Sequence, residues 1–490
     1  MCSFASGSNT AESEGGRPVR FVKKAARSVR NAFRFTTSGL TLGEKWRLAL
    51  PGPILSVGGV LIHNVFIKYY TDMIGLSPKY VAWVYVIYNI WNAINDPMIG
   101  VWIDKLRHRP NRGKYVYIMR VTVPFMIISS FLMMLSSPSW DQWLIFLLYT
   151  AELFIYDTAA TAYGIAYQSY MLIAAPTKEE RIDVGIVQNY ISQAMSFLIT
   201  LIPTLLLVGD GKREVIIPVF SAVILVETVF FTLALRGLKD DAKMYESLEG
   251  QQFAMNELWS QSWEIIKSRQ FITFVLYSII TAGPIGFYFT PYLYYMDGVV
   301  NAGGAVTTTI DVGTHVIALM FLPVMGYIIK KYGTKTSVYW GTVPAILGYG
   351  GIFFASNIWA VAASYVLVVI TVNYIRTAVS PVGALIIDEN ERTSGVRKTG
   401  LFNGLFAIFT VAFSSLQTVI FMSVIGAFGY DGLATSQSET AVLGIRIATS
   451  LIPLASILLG LIPMAFYPFD KKKEEEISAF SNQARRGGLT

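Results

Sequence analysis

Cysteine is almost missing from this chain. The single Cys2 has no partner, so neither a disulfide framework nor a cysteine-based metal site can be built within it. Histidine is nearly as scarce, at three in 490 residues, and no His or Cys cluster falls at ligand spacing, so no metal is expected. Charge is thin: 14% of the residues are charged against 53% hydrophobic, and the mean hydropathy is +0.49. That balance excludes an ordinary pair of soluble domains. No nucleophile-and-base arrangement and no phosphate-cradling glycine loop occurs at interpretable spacing, so neither an enzyme nor an ATP-driven pump is expected, and no cofactor. No apolar run precedes Trp46, which argues against a cleaved secretory signal.

What remains is a succession of long apolar runs. A membrane span needs about 20 mostly apolar residues. Twelve candidates lie at about 47–70, 79–103, 115–136, 142–174, 184–208, 215–236, 270–296, 306–329, 336–356, 358–387, 400–427 and 440–467. An even count puts both termini on one side. Loops on that side hold Lys105, Arg107, Arg109, Arg112 and Lys114, then Lys239 and Lys243, then Lys330, Lys331 and Lys335, then Arg392, Arg397 and Lys398. The opposite loops offer mainly Lys79, Lys212 and Arg213. Basic loops stay cytoplasmic, so a multi-pass integral membrane protein with both termini in the cytoplasm is expected. The same placement accounts for the net charge of +7 without a nucleic-acid partner. Between Arg20 and Phe35 basic residues alternate with Val22, Ala26, Val29 and Phe33 at helical spacing, which suggests an interfacial helix on anionic lipid. An organellar targeting peptide is the rival reading; Glu12 and Glu14 count against it, because such peptides are poor in acids.

The longest polar stretch inside the bundle, Arg236 to Arg269, divides the spans into two sets of six. The expected organisation is a cytoplasmic tail 1–46, a six-helix bundle 47–236, a cytoplasmic linker 237–269, a second six-helix bundle 270–467 and a cytoplasmic tail 468–490, in a monomer. In the second span, Asn89-Ile-Trp-Asn92-Ala-Ile-Asn95-Asp96-Pro97 interrupts an otherwise apolar helix. Asn89, Asn92 and Asp96 fall at i, i+3 and i+7 and so share one face. An acid there is expensive unless it faces protein or a water-filled cavity, which marks it as a functional residue. Pro97 cannot donate to the carbonyl of Ala93, so the helix is expected to kink or loosen beside the cluster.

Several stretches carry a family resemblance. The turns Gly100-Val-Trp-Ile-Asp104 with Arg112-Gly113-Lys114, and Gly326-Tyr-Ile-Ile-Lys330 with Gly333-Thr-Lys335, occupy matching places in the two sets of spans. Such paired turns resemble the major facilitator superfamily. Tyr69-Tyr-Thr-Asp72-Met-Ile-Gly75, the Trp91 to Pro97 motif, Arg112-Gly-Lys, Ala175-Pro-Thr-Lys-Glu-Glu-Arg181 and Ile387-Asp388-Glu-Asn-Glu391 followed by Gly400-Leu-Phe402 further resemble the melibiose permease-like glycoside-pentoside-hexuronide cation symporters. The resemblance implies an all-α integral membrane protein of twelve transmembrane helices in two six-helix halves. It also implies a substrate site near the midplane between them. In that family two acids four residues apart on the second helix hold the coupling cation. Here the first position is Asn92 and the second Asp96, which keeps an oxygen but removes a charge that a hard cation needs. A proton is therefore the favoured coupling ion, with Na+ as the alternative. By the same alignment the family's sugar-binding acid on helix one falls at Ser56, its helix-four acid at Gly164 and a stacking aromatic at Gln168, and its helix-five arginine near Gln188 or Asn189.

Other residues are singled out by type and place. Asp157, Thr161, Gly164 and Gln168 form one polar stripe of the fourth span, and Glu152, Tyr156, Tyr163, Tyr167 and Tyr170 another. One stripe is expected to face the cavity and the other a neighbouring helix, and Asp157 and Tyr167 are candidate substrate residues with Asn89. His63 in the first span is a candidate proton relay or a neutral cross-helix bond. Arg376 suits a carboxylate or phosphate, or a neighbouring acid. Asp311 and His315, at i and i+4, read as an interfacial pair or an outer proton port. Asp104, Arg112, Lys114, Asp388 and Arg392 are expected to form cytoplasmic charge networks that hold the inward side shut. The sequence thus points to a symporter of a sugar-like polar solute coupled through Asp96. A carrier of lysolipids or other amphiphiles, and a non-transporting sensor on the same scaffold, are the alternatives.

Overall fold

The computed structural model describes residues 40–106, 108, 113–175, 178–209, 213–240, 262–379, 381–395, 399–411, 413 and 416–487. The basic stretch 20–35, Arg112 and most of the expected linker lie outside these residues. The described chain is dominated by helices. A short α1 (Leu42–Ala49) precedes α2 (Pro51–Val60), which continues through a π-turn at Leu61–Val65, one α-turn at Phe66–Lys68 and a second π-turn at Tyr69–Met73. Then follow α3 (Pro78–Lys105), α4 (Tyr115–Leu132), α5 (Gln142–Ala174), α6 (Lys178–Leu206) and α7 (Arg213–Arg236). After the linker come α8 (Arg269–Gly286), α9 (Phe289–Gly298), α10 (Gly304–Tyr332), α11 (Thr334–Phe354), α12 (Ile358–Val379), α13 (Val382–Ser394), α14 (Thr399–Val411) and α15 (Leu416–Ala427). The chain ends in α16 (Glu439–Arg446), a π-turn at Ile447–Leu451, α17 (Ile452–Phe466) and α18 (Lys471–Gly487).

Helix lies over each of the twelve apolar segments. Six helices among the described residues are long and apolar enough to cross a membrane, and the α8–α9 pair, bent by 40°, makes a seventh. Length and hydropathy alone therefore do not reach twelve, because polar groups and breaks interrupt the others. The breaks do not fall where Pro97 suggests. α3 runs through Pro97 to Lys105. Tight packing of a membrane helix tolerates one missing backbone bond. The bend falls instead at Gly286-Phe287-Tyr288, where Gly283, Pro284 and Gly286 weaken the helix together. The first span carries two π-turns, a local widening often found at functional sites.

The helices contact one another in two groups. In the first, α3 and α4 pack on α5, α4 also on α7, and α2 on α5, α6 and α7. In the second, α8 packs on α17, α12 on α10 and α11, and α11 on α17. The groups meet where α3 touches α15, α6 touches α10, and α9 touches the Phe66–Lys68 turn. α1 and α18 lie at one end, tied by Lys45 to Asp183 at 2.6 Å and by the Glu474 carboxylate to the Thr334 N–H at 2.9 Å. Broad apolar faces remain outside, including Ile90, Met98 and Trp102 of α3 and Leu225, Val229 and Leu233 of α7. In an integral membrane protein these faces meet lipid.

Candidate functional site

Helical periodicity brings the α3 cluster against α5 as two neighbouring rungs. On the first, Asp157 Oδ1 accepts from the Tyr88 hydroxyl at 2.9 Å and Asp157 Oδ2 from Asn95 Nδ2 at 3.3 Å. Tyr88 and Asn95 stand seven residues apart and so lie on one face. On the second rung, one turn along α5, the Thr161 hydroxyl donates to Asp96 Oδ1 at 2.9 Å. Asn92 and Asn95 are buried, Asp157 is 8% exposed and Asp96 is half-buried. Asn89 Oδ1 is buried without a hydrogen-bond partner. Below them Trp91 donates to Thr158 at 3.2 Å and stacks on Phe154. The seam therefore gathers two carboxylates between two apolar-faced helices, and α3 adds a buried, unpartnered amide oxygen at Asn89. Oxygen-rich and acidic, it suits a proton or a hard cation. Tyr88 was not legible as a site residue; its i, i+7 relation to Asn95 was the available signal.

The two stripes of α5 separate as their spacing requires. The tyrosine stripe packs on the start of the first span and the linker: Tyr163 donates to the Pro51 carbonyl at 3.2 Å, Tyr167 to Leu48 at 2.7 Å and Tyr170 to Lys239 at 2.7 Å. Tyr167, read as a substrate residue, is thus a buried interhelix bond. Of the other stripe, Gly164 faces Leu55, leaving room for an ordinary methyl-sized contact at 3.5 Å, and Gln168 is exposed. The side chains of Ser56, His63, Asp104 and Asn189 lie outside the described residues, as does Arg112. Among the expected gate residues, the Lys114 N–H donates to Asp240 at 2.9 Å, Arg392 pairs with Glu389 at 2.7 Å, and Asp388 is buried in the middle of α13. Lys114 and Arg392 thus bond here to residues of their own helix group or the linker start.

Arg376 of α12 is exposed at the bend between α8 and α9, where its Nη2 donates to the Ile285 carbonyl at 2.6 Å. That carbonyl lies in the last turn of α8. α9 belongs to the contact between groups, where the Thr290 hydroxyl donates to Asn64 at 3.0 Å, so Arg376 stands close to the divide.

The end opposite α1 and α18 carries a charge cluster that sequence reading passed over. Lys68 is fully buried and pairs with Asp72 on its own helix and with Asp297 Oδ2 across the divide at 2.7 Å. Asp297 Oδ1 also accepts from the Gly209 N–H at 3.0 Å. The Tyr430 hydroxyl donates to Asp72 at 2.8 Å, and Thr71 and Tyr294 share a hydroxyl bond of 2.6 Å. The Lys68 ammonium sits 4.6 Å from the centre of the Tyr294 ring. Gly426 faces Pro78 and Gly432 lies against the Thr71 backbone, so the groups meet closely here. Above the cluster opens a vestibule of about 540 Å³ lined by Asp72, Asp297, Tyr430, Thr435 and Gln437 among others. The signal was an i, i+4 Lys–Asp pair inside an apolar run.

The family model for MFS/sugar transport proteins matches residues 49–471. The uncharacterised symporter YnaJ of Bacillus subtilis (strain 168) is 22% identical over 434 residues, covering 84% of this chain and 88% of that protein. The isoprimeverose transporter of Lactiplantibacillus pentosus is 20% identical over 448 residues, covering 87% and 89%. Among solved structures, that of a D-xylose-proton symporter superposes with a TM-score of 0.62 at 12% identity, over 88% of this chain and 98% of that one.

Proposed function

The chain belongs to the MFS/sugar transport protein family, and on that premise we propose that it is a proton-coupled symporter of a sugar-like polar solute working by alternating access. It is a multi-pass membrane protein and not an enzyme. The end bearing α1 and α18 is cytoplasmic, by the excess of Lys and Arg in its loops. The solute binds between the two helix groups, with Arg376 at the α8–α9 bend and the α3 face presenting Asn89 as contacts. The observation that carries the reading is the paired carboxylates of Asp96 and Asp157 in the α3–α5 seam. Such groups persist inside a membrane helix bundle where they bind and release an ion. A proton needs only one of them to change state. Na+ would need both ionised with the Asn89 and Asn92 oxygens around it.

The test is uptake of labelled pentoses, hexoses and glycosides into proteoliposomes under a pH gradient, a Na+ gradient or neither. Accumulation of a sugar driven by the pH gradient, and its loss in Asp96→Asn, is the expected result. Accumulation under the Na+ gradient alone would replace the proton. Uptake of lysolipid but of no sugar would replace the solute, and no flux of any solute would favour a sensor.

A further inference from the structure

A second titratable cluster lies in the other helix group, away from the α3–α5 seam. We propose that Asp311 and His315 form a proton-carrying station bonded through His315 to the Tyr288 hydroxyl of the α8–α9 bend, the bend that Arg376 also holds, so that proton movement is shared between the two helix groups. This rests on the transport reading above but invokes different residues. Four observations support it. Asp311 is 3% exposed, and its Oδ1 has no hydrogen-bond partner, a costly state for a polar oxygen in a bundle core. His315, one turn along α10, places Nδ1 at 2.8 Å from the Asp311 carbonyl and 3.5 Å from its Oδ1. The imidazole Nε2 lies 3.1 Å from the Tyr288 hydroxyl, at the bend where Arg376 holds the Ile285 carbonyl. The His315 side chain is 34% exposed while that of Asp311 is 4%, so one member of the pair reaches the surface of the helix bundle and the other does not.

The hydrogen-bond directions decide what a proton does there. Only an N–H can serve the Asp311 carbonyl, so the neutral ring is protonated at Nδ1, and its Nε2 accepts from Tyr288. A proton arriving from water adds to Nε2. The ring then becomes a donor at both nitrogens, and the Tyr288 hydroxyl must turn its own proton elsewhere. The added charge sits one turn from the Asp311 carboxylate. Release of the proton to water at the other side of the cycle restores the first arrangement, and no other group is oxidised or reduced. The surrounding titratable groups are Tyr288 at the bend, Tyr292 from α9, Tyr349 from α11, and Tyr365 and Arg376 from α12. α6, which also packs on α10, contributes the Thr204 hydroxyl, bonded to Thr308 at 2.8 Å.

Two measurements test this. The first is independent of any solute. With only three histidines in the chain, the His315 ring resonances can be assigned by nitrogen NMR using His315→Gln. An Nδ1–H neutral tautomer whose Nε2 signal moves in Tyr288→Phe is expected. An Nε2–H tautomer, or a ring spectrum blind to Tyr288→Phe, would overturn the proposal. The second is the proton-to-solute ratio in proteoliposomes. It should fall in both His315→Gln and Asp311→Asn, with gradient-driven accumulation down tenfold or more. An unchanged ratio overturns the proposal. So does equal loss of accumulation and of solute exchange, because that would place the pair in solute binding. If the parent moves no solute at all, the transport reading fails while the tautomer still judges the site.

Discussion

On the alternating-access proposal, replacing Lys68 by Met should favour opening of the end of the molecule where the Lys68 cluster joins the two helix groups. The Lys68 side chain is 0% exposed, Asp72 8% and Asp297 30%, and the Asp297 pair alone crosses between the helix groups. Removing one partner of a buried ion pair costs about 3–5 kcal/mol, because the other charge is left dry and uncompensated. Partial exposure of Asp297 puts this case at the lower end, about 3 kcal/mol. In the open state Asp72 and Asp297 are hydrated, so most of that cost falls on the closed state alone. At about 1.4 kcal/mol per tenfold, the equilibrium moves toward open by a factor on the order of a hundred. Spin labels at Ser139→Cys, between α4 and α5, and Ser356→Cys, between α11 and α12, report the separation of the two groups at this end. The background needs only Cys2→Ser, since no other cysteine exists. Lys68→Met should add a population at longer distance. Neutralising all three groups, as Lys68→Met with Asp72→Asn and Asp297→Asn, should restore much of the closed population by removing the uncompensated charges. A distance distribution in Lys68→Met equal to that of the parent would refute the reasoning, because a gate held by this ion pair cannot lose it unchanged.

Three further outcomes follow from the same structure. Gly432→Ala should also favour the open state in the spin-label assay, because its methyl group would press on the Thr71 backbone, which cannot yield as a flexible side chain can; an unchanged distribution would show that this contact is not part of closure. Tyr167→Phe should leave the apparent KM for solute unaltered and lower the thermal unfolding temperature, since it removes one buried bond to the Leu48 carbonyl worth about 1 kcal/mol; a raised KM would return Tyr167 to the solute site. At α1, the Thr41 N–H and hydroxyl donate to Glu44 at 2.9 and 2.8 Å and hold its carboxyl below the usual range. A depressed carboxylate stabilises above its unfolded value and loses that effect as pH falls through the folded one, so first-turn amides of α1 should be less protected, relative to their intrinsic exchange rates, at about pH 3 than at about pH 6, and equal protection would count against the cap.

The fold was legible because a bilayer leaves few options: long apolar runs become helices, and charges sort to loops. What sequence could not locate were the breaks. Pro97 attracts attention as a helix breaker, yet α3 passes through it, whereas the bend at Gly286-Phe287-Tyr288 needs three weak residues acting together. Nothing local distinguishes such a triplet from the many glycines that membrane helices carry for close packing. The π-turns of the first span are equally silent in sequence, since they are set by where Lys68, Thr71 and Asp72 must point once α9 and Tyr430 are in place.

The polar residues divide by the same logic of local against distant information. Periodicity correctly put Asn89, Asn92 and Asp96 on a shared face, but it could not name the opposite partner. That partner is α5, which offers Thr161 to Asp96 and Asp157 to Asn95. Periodicity likewise split α5 into two stripes without naming what each meets: Asp157 and Thr161 of one meet α3, while the tyrosine hydroxyls of the other reach backbone carbonyls of the first span and the linker. Lys68 and Asp72 were legible as an i, i+4 pair and would have been dismissed as a lysine reaching out toward the interface. Asp297 reverses that judgement: an acid 229 residues away takes the second bond of a lysine that has no water to reach. A charge pair within one helix can only stiffen that helix, whereas one shared across two helix groups also holds those groups together, and on the alternating-access proposal it weights the closed arrangement against the open one. The third partner therefore carries the functional meaning, and it is the one that local spacing cannot supply.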